Sequence, residues 1–392
     1  MFDALLDKFR RIDWVLFACM AALIVFGTVF IWSAGSARQG AYLQSIWRSY
    51  ACTAALGLFI HFAIALVDYR RVLGAFAIPI YAIALILLVA VLLLGANIYG
   101  GRRWLWFFQP SEVAKLAVIL FIAQLVGFKE RESFRWFLAA AAAFGVPALL
   151  ILKEPDLGTA LVLAPSVLVM LLAARVWLKG MIVLLFVGLL AAGLTLSTVY
   201  FVERQTDGER KAQIYSRLPL KAHQIKRLRV FLFPDQDTRG AGYNLHQAQI
   251  SIGSGSVYGK GLRKGELKTL GYLPPSVSMN DFIFAIVAEE SGFMGNLLLL
   301  SLFLGLLLSV LRIALFATDD RGRLLAAGVA TLIFCHVYIN IGMSIGLMPI
   351  TGLPLPFISA GRTFLIVLMI SLGFVQSVNV HRHNDNARTW ET

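Results

Sequence analysis

The stretch SVSMNDFIFAIVAEESG, residues 276–292, begins a long apolar run with one acid, Asp281, and carries two more inside it, Glu289 and Glu290. Carboxylates are costly in lipid and need a partner or a task there. An acid at a membrane mouth can serve as a general base on a hydroxyl. Asn or Asp ahead of an apolar run can equally cap a helix, and the two uses are compatible. Glu289 follows Asp281 by eight residues, which on a helix is ~12 Å deeper and ~80° around. That is too far for a close carboxylate pair, so Glu289 and Glu290 are expected to bond neighbouring helices or buried cations.

Three further clusters mix charge with apolar sequence. In GGRRWLWFFQPSEVAKLAV, 100–118, Arg102 and Arg103 precede Trp104 and Trp106, an interfacial aromatic belt. Pro110 then opens a helix on which Glu112 and Lys115, three apart, share a face and can pair, either as a structural ion pair or facing a cavity. In LKEPDLGTALVL, 152–163, Lys153, Glu154 and Asp156 cluster at a turn with Pro155 beginning the next helix, where Asp156 suits the helix dipole. In GLMPITGLPLPFISAGRTF, 346–364, Pro349, Pro354 and Pro356 rule out a continuous helix. Irregular backbone at membrane depth must line a covered or water-filled space, and Arg362 adds a cation there. Acids joined with bases beneath tryptophans suit a lipid-anchored, anionic, hydroxyl-bearing substrate. No His/Cys metal spacing, nucleophile elbow or phosphate-binding loop occurs, and ISIGSGSVYGKG lacks the GxxxxGK[ST] pattern.

The elements that must position these residues are membrane helices. Of 392 residues, 59% are hydrophobic and 15% charged, which predicts an all-α polytopic membrane protein. Ten spans are expected, at 13–33, 46–67, 72–95, 113–128, 134–151, 157–173, 180–202, 282–311, 324–346 and 363–380, within a single integral membrane domain over 1–392. An even count puts both termini on one side. Fifteen Lys/Arg in the short loops of that side against six on the other make it cytoplasmic. The first apolar run, 14–32, is too long for a cleaved signal. Cys19, Cys52 and Cys335 all fall in apolar runs and are expected as small buried hydrophobes without disulfides.

Residues 203–281 form a long extracytoplasmic loop with 13 Lys/Arg against 7 Asp/Glu. Topology does not explain that excess, whereas an anionic ligand or lipid headgroup does; a loop outside the cytoplasm rarely meets nucleic acid. Its basic first part reads as an amphipathic helix on the membrane surface. Its Gly-rich second part suits tight turns and close backbone approach.

Five ordered motifs, QPSEVAKLA, KEPDLGTAL, GYNLHQAQISIGSGSVYGKG, YLPPSVSMNDFIFAIVAEESGF and GLMPITGLPLPFISAG, together resemble the SEDS family of bacterial peptidoglycan polymerases over almost the whole chain. The loop motif is more similar to the elongation members, the RodA type, than to the division members, the FtsW type. The resemblance implies a ten-helix SEDS-type fold in the inner (cytoplasmic) membrane. It implies an inverting glycosyltransferase that adds lipid II disaccharides to a nascent glycan strand and releases undecaprenyl diphosphate during elongation and rod-shape maintenance. It also implies a class B penicillin-binding protein transpeptidase as partner, with other elongation-complex membrane proteins. By motif, Asp281 matches the family's catalytic acid. Glu112, Lys115 and Asp156 match its substrate-binding positions, with Arg102, Arg103 and Lys115 placed to meet the diphosphate. A divalent cation, Mg or Mn, can join them, and the AEESG glutamates are structural.

Two stretches depart from the family pattern. Met279 and Asn280 replace His-Thr before the acid, and SAGRTF, with Ala360, Arg362 and Phe364, replaces a small polar stretch. A flippase for the lipid-linked precursor and a non-catalytic scaffold are the competing readings.

Overall fold

The computed structural model describes residues 2–36, 41–98, 101–106, 108–127, 134–154, 156–205, 208–218, 220, 222–237, 240–274 and 277–382. A short helix, α1 (Phe2–Arg10), leads into α2 (Trp14–Ser36), α3 (Ala41–Leu66) and α4 (Tyr69–Leu94). A hairpin of β1 (Ala96–Ile98) and β2 (Gly101–Trp104) precedes α5 (Pro110–Val126), α6 (Phe134–Lys153), α7 (Leu157–Ala173) and α8 (Leu178–Gln205). The loop folds as α9 (Gly208–Arg217), α10 (Ala222–Leu232), α11 (Ala241–Ser254) and α12 (Glu266–Thr269). The chain ends with α13 (Ile283–Leu315), α14 (Asp320–Ser344) and α15 (Arg362–His381).

Ten of these helices fall on the ten expected spans. Among the described residues, eight are long and apolar enough to cross a bilayer by themselves. The other two, α5 and α7, have 17 residues each and are short for a straight crossing. The protein is an all-α multi-pass membrane protein, with the small hairpin ahead of α5 as its one departure among the described residues. Helices α14 and α15 form the buried centre, α3 packs on α15, α2 on α13, and α5 and α7 on α14. Helix α8 is the opposite extreme, nearly uncovered along its length. The cysteines are unpaired, and Cys52 corrects the expectation of burial by facing outward from α3.

The longest span, α13, is not one helix. At Gly292 the backbone turns to φ 63° and ψ −163°, which breaks α13. The Gly-rich loop fills the break. Lys260 and Gly261 donate their N–H groups to the carbonyls of Glu289 and Glu290 at 2.9 and 3.0 Å, while Phe293 and Met294 donate theirs to Ser256 and Val257 at 2.9 and 3.1 Å. Every backbone group freed by a break in lipid needs such a partner. A side chain on Gly292 would stand 2.2 Å from the Gly259 nitrogen, so this approach requires glycine.

Both glutamates of AEESG anchor the same loop, as expected of structural acids. Glu289 accepts from Lys260 Nζ at 2.9 Å and from the first N–H groups of α12, Glu266 at 2.8 Å and Leu267 at 3.1 Å. Glu290 pairs with Lys268 and accepts from Ser33 Oγ at 2.6 Å.

Candidate active site

Asp281 closes a π-helical turn, Val277–Asp281, immediately before α13. The turn is held from two sides. Ser359 Oγ donates to the Asn280 carbonyl at 2.6 Å and the Ala360 N–H to that of Met279 at 3.2 Å, both from the proline-rich segment. Asn340 of α14 donates to the Asp281 carbonyl at 3.0 Å. The expectation that Asn280 or Asp281 caps α13 is corrected, since the residue at the helix start is Phe282, with no side-chain cap. A turn of five residues per hydrogen bond rotates Asp281 off the capping position. Its carboxylate is therefore left without a hydrogen-bond donor among the described residues.

The surroundings of that carboxylate are cationic. Burial pushes it up to about 6, while the charges of Arg227 and Arg103 pull it down. Arg227, on α10, donates to the Thr351 carbonyl at 2.9 Å and feels both Asp156 and Asp281. Arg103, on β2, donates through Nε to the Glu154 carbonyl at 3.3 Å. The side chain of Arg102 and the whole of Pro155 lie outside the described residues. Gly352, at φ 75°, lies beneath the acid, and a Cβ there would stand 3.5 Å from Asp281 Oδ2.

Asp156 caps α7, accepting from the Thr159 N–H at 3.2 Å and Thr159 Oγ1 at 2.9 Å. Gln109 Nε2 and Ser111 Oγ reach the same oxygen as Thr159 Oγ1, Oδ2, at 3.4 and 3.5 Å, tying α5 to α7. Beside it Glu154 is fully buried, with no hydrogen bond to either carboxyl oxygen among the described residues. Burial and the charge of Asp156 push that carboxyl up to about 8, with Arg103 opposing.

Further along α5 the expected pair forms, with Lys115 Nζ 2.8 Å from Glu112. Lys115 is 1% exposed and also lies 2.9 Å from His336 Nε2, with the Phe364 ring 5.0 Å away. It is enclosed by these partners, and the cations whose charge acts on Asp281 are Arg227 and Arg103. Arg362 turns away to Ser49 Oγ at 3.2 Å. The two departures from the family pattern meet one another. Met279 bonds to Ala360, and Phe364 packs on His336 at 4.5 Å between ring centroids.

Arg227, His336 and Asn340 were not singled out by the sequence. His336 and Asn340 stand four apart on one face of an apolar helix, a spacing that flags a polar cavity. Arg227 is one of thirteen cations in its loop, and no local pattern separates it from the others.

The site is thus a membrane-helix bundle with a carboxylate at one mouth that has no hydrogen-bond donor among the described residues and feels the charges of Arg227 and Arg103. The chain belongs to the FtsW/RodA/SpoVE family of cell cycle proteins, whose model matches residues 13–384. It is similar to the peptidoglycan glycosyltransferase MrdB of Escherichia coli K12, 35% identical over 379 residues that cover 95% of this chain and 94% of that one. It is also similar to the peptidoglycan glycosyltransferase RodA of Treponema pallidum, 30% identical over 94% of this chain and 98% of that one. Among solved structures, a chain from a study of the structural coordination of polymerization and crosslinking by a peptidoglycan synthase complex superposes with a TM-score of 0.74. Its identity is 28%, over 95% of this chain and 99% of that one.

Proposed function

We propose that this protein is a peptidoglycan glycosyltransferase of the elongation type, with Asp281 as its general base. The observation that carries the reading is the Asp281 carboxylate, unbonded among the described residues and under the charges of Arg227 and Arg103. Such an acid has a free lone pair for a proton and cations beside it for a leaving anion.

The 4-hydroxyl of the acceptor sugar gives its proton to the Asp281 carboxylate as its oxygen attacks the anomeric carbon of the donor. The bond from that carbon to the diphosphate oxygen breaks, and its electrons leave with undecaprenyl diphosphate. One displacement inverts the anomeric centre, and the carboxylate treats the sugar hydroxyl as an inverting hydrolase treats water. Arg103 and Arg227, with Arg102, meet the diphosphate charge. Glu112, Lys115, His336 and Asp156 hold the floor beneath. Among the described residues no three His, Cys, Asp or Glu side chains could share a metal ion. Mg or Mn needs only one or two carboxylates beside phosphate oxygens, so an ion arriving on the diphosphate belongs to the substrate.

The reading places the chain as one integral domain in the inner membrane with both termini cytoplasmic, on the strength of the loop charges, fifteen against six. Residues 203–281 then lie outside the cytoplasm. Its partners are lipid II, the glycan strand, a class B penicillin-binding protein and other elongation-complex membrane proteins, without nucleic acid. The test is polymerisation of labelled lipid II by the purified protein with a monofunctional partner, wild type against Asp281→Asn. Polymer from the wild type alone supports the reading. Equal polymer from both removes Asp281, and none from either, with lipid II bound, favours the flippase or scaffold.

A further inference from the structure

Helix α13 begins beside Asp281 and ends in a second charged site at the far end of the bundle. There a cavity of about 380 Å³ is lined by Arg10, Arg11, Arg312 and Arg382, with Asp13 and Trp14. The arginines come from three separate stretches of chain: the end of α1, the last turn of α13 and the residue after α15. Polar side chains fix the connection that carries two of them. Asn379 donates to the Arg11 carbonyl at 2.7 Å and Gln376 to that of Asp13 at 3.1 Å.

The acids nearby are already engaged. Asp13 caps α2 through the N–H groups of Val15 and Leu16, at 3.1 and 3.0 Å, and Asp7 holds Arg11 at 2.6 Å. Among the described residues no acid lies within ion-pair distance of Arg10 or Arg312, and both are exposed. At the lip of the cavity Trp14 and Val15, 52% and 57% exposed, open a membrane helix and so stand where headgroups meet acyl chains.

We propose that this cavity binds the phosphate headgroup of an anionic phospholipid from the adjacent leaflet. Guanidinium forks match phosphate oxygens two at a time, and the tryptophan and valine cover the glycerol and the first acyl carbons. A soluble phosphate has no use for that apolar lip. The bound lipid clamps α1 to the ends of α13 and α15. This site stands apart from the catalytic reading and survives its failure.

The test uses the full chain in detergent, with lipid retention read by native mass spectrometry and Tm by fluorescence. Probes are phosphatidylglycerol, phosphatidylcholine and inorganic phosphate. Wild type retains phosphatidylglycerol and rises in Tm with it, and does neither with the other two. Arg10→Gln with Arg312→Gln weakens phosphatidylglycerol about 30-fold, at the usual attraction of one surface cation each for an anionic membrane. Its lipid-free Tm stays at the wild-type value, because both side chains are exposed. Arg71→Gln with Lys179→Gln, two exposed cations at the same end outside the cavity, leaves binding unchanged. Equal loss in both double variants would show general surface charge. Equal stabilisation by inorganic phosphate would show a soluble-anion site. Either result overturns the proposal.

Discussion

One amide, that of Asn340, donates to two backbone carbonyls, Asp281 at 3.0 Å and Leu353 at 2.7 Å. It ties the turn that carries the acid to the irregular segment beneath it. Replacing Asn340 by Leu leaves two carbonyls without their donor, at about 1–3 kcal/mol for each buried group. Asn340→Leu is expected to lower kcat for polymerisation about 10- to 100-fold by misplacing the carboxylate, with KM little changed. Steady-state kinetics that showed a KM effect alone would remove the positioning role.

The acid limb of the rate profile should report Asp281. A base works only when ionised, so with its carboxyl raised to about 6 the rate falls as pH drops below that value and is level above it. Arg227 lowers that pKa, and Arg227→Gln therefore moves the limb to higher pH. A pH–rate profile whose limb stayed in place would separate Arg227 from the acid.

Gly352 holds φ 75° directly under the carboxylate. An alanine there meets left-handed backbone strain of about 1–2 kcal/mol and places a methyl 3.5 Å from Asp281 Oδ2. We expect Gly352→Ala to lose a few degrees of Tm and most of its activity. The discriminating comparison is activity at a temperature where both proteins are folded, and full activity there would leave strain as the only effect.

Lys268 and Glu290 form a buried pair at 1% and 2% exposure, with Ser33 bonded to both. Lys268→Met strands the carboxylate and is expected to cost about 3–5 kcal/mol. Adding Glu290→Gln should recover part of it. A double-mutant cycle in Tm measures the coupling, and additive losses would mean that the two charges act separately.

The span pattern was legible because hydropathy is a local property, and the lone polar positions were legible because charge in an apolar run is conspicuous. Glu112 and Lys115 pair as their spacing of three requires, and Asp156 caps α7 as its place before an apolar run requires. What escaped depends on distant chain. Asp281 looks like a cap until the proline-rich segment, some eighty residues away, grips the turn and winds it open. Arg227 becomes part of the site only because Thr351 offers its carbonyl, across 124 positions of sequence. The break in α13 has a visible Gly292, but Gly295 and Gly305 follow in the same helix without breaking it. Only the partner loop distinguishes them.

That break has a mechanical consequence. A fractured helix ordinarily swivels, but here residues 256–261 bond to both fragments, to Glu289 and Glu290 on one and to Phe293 and Met294 on the other. The loop is a splint across the fracture. The two fragments then bear load as a single rod, and a push or pull on the loop is delivered to the turn holding Asp281 instead of being absorbed at the glycine.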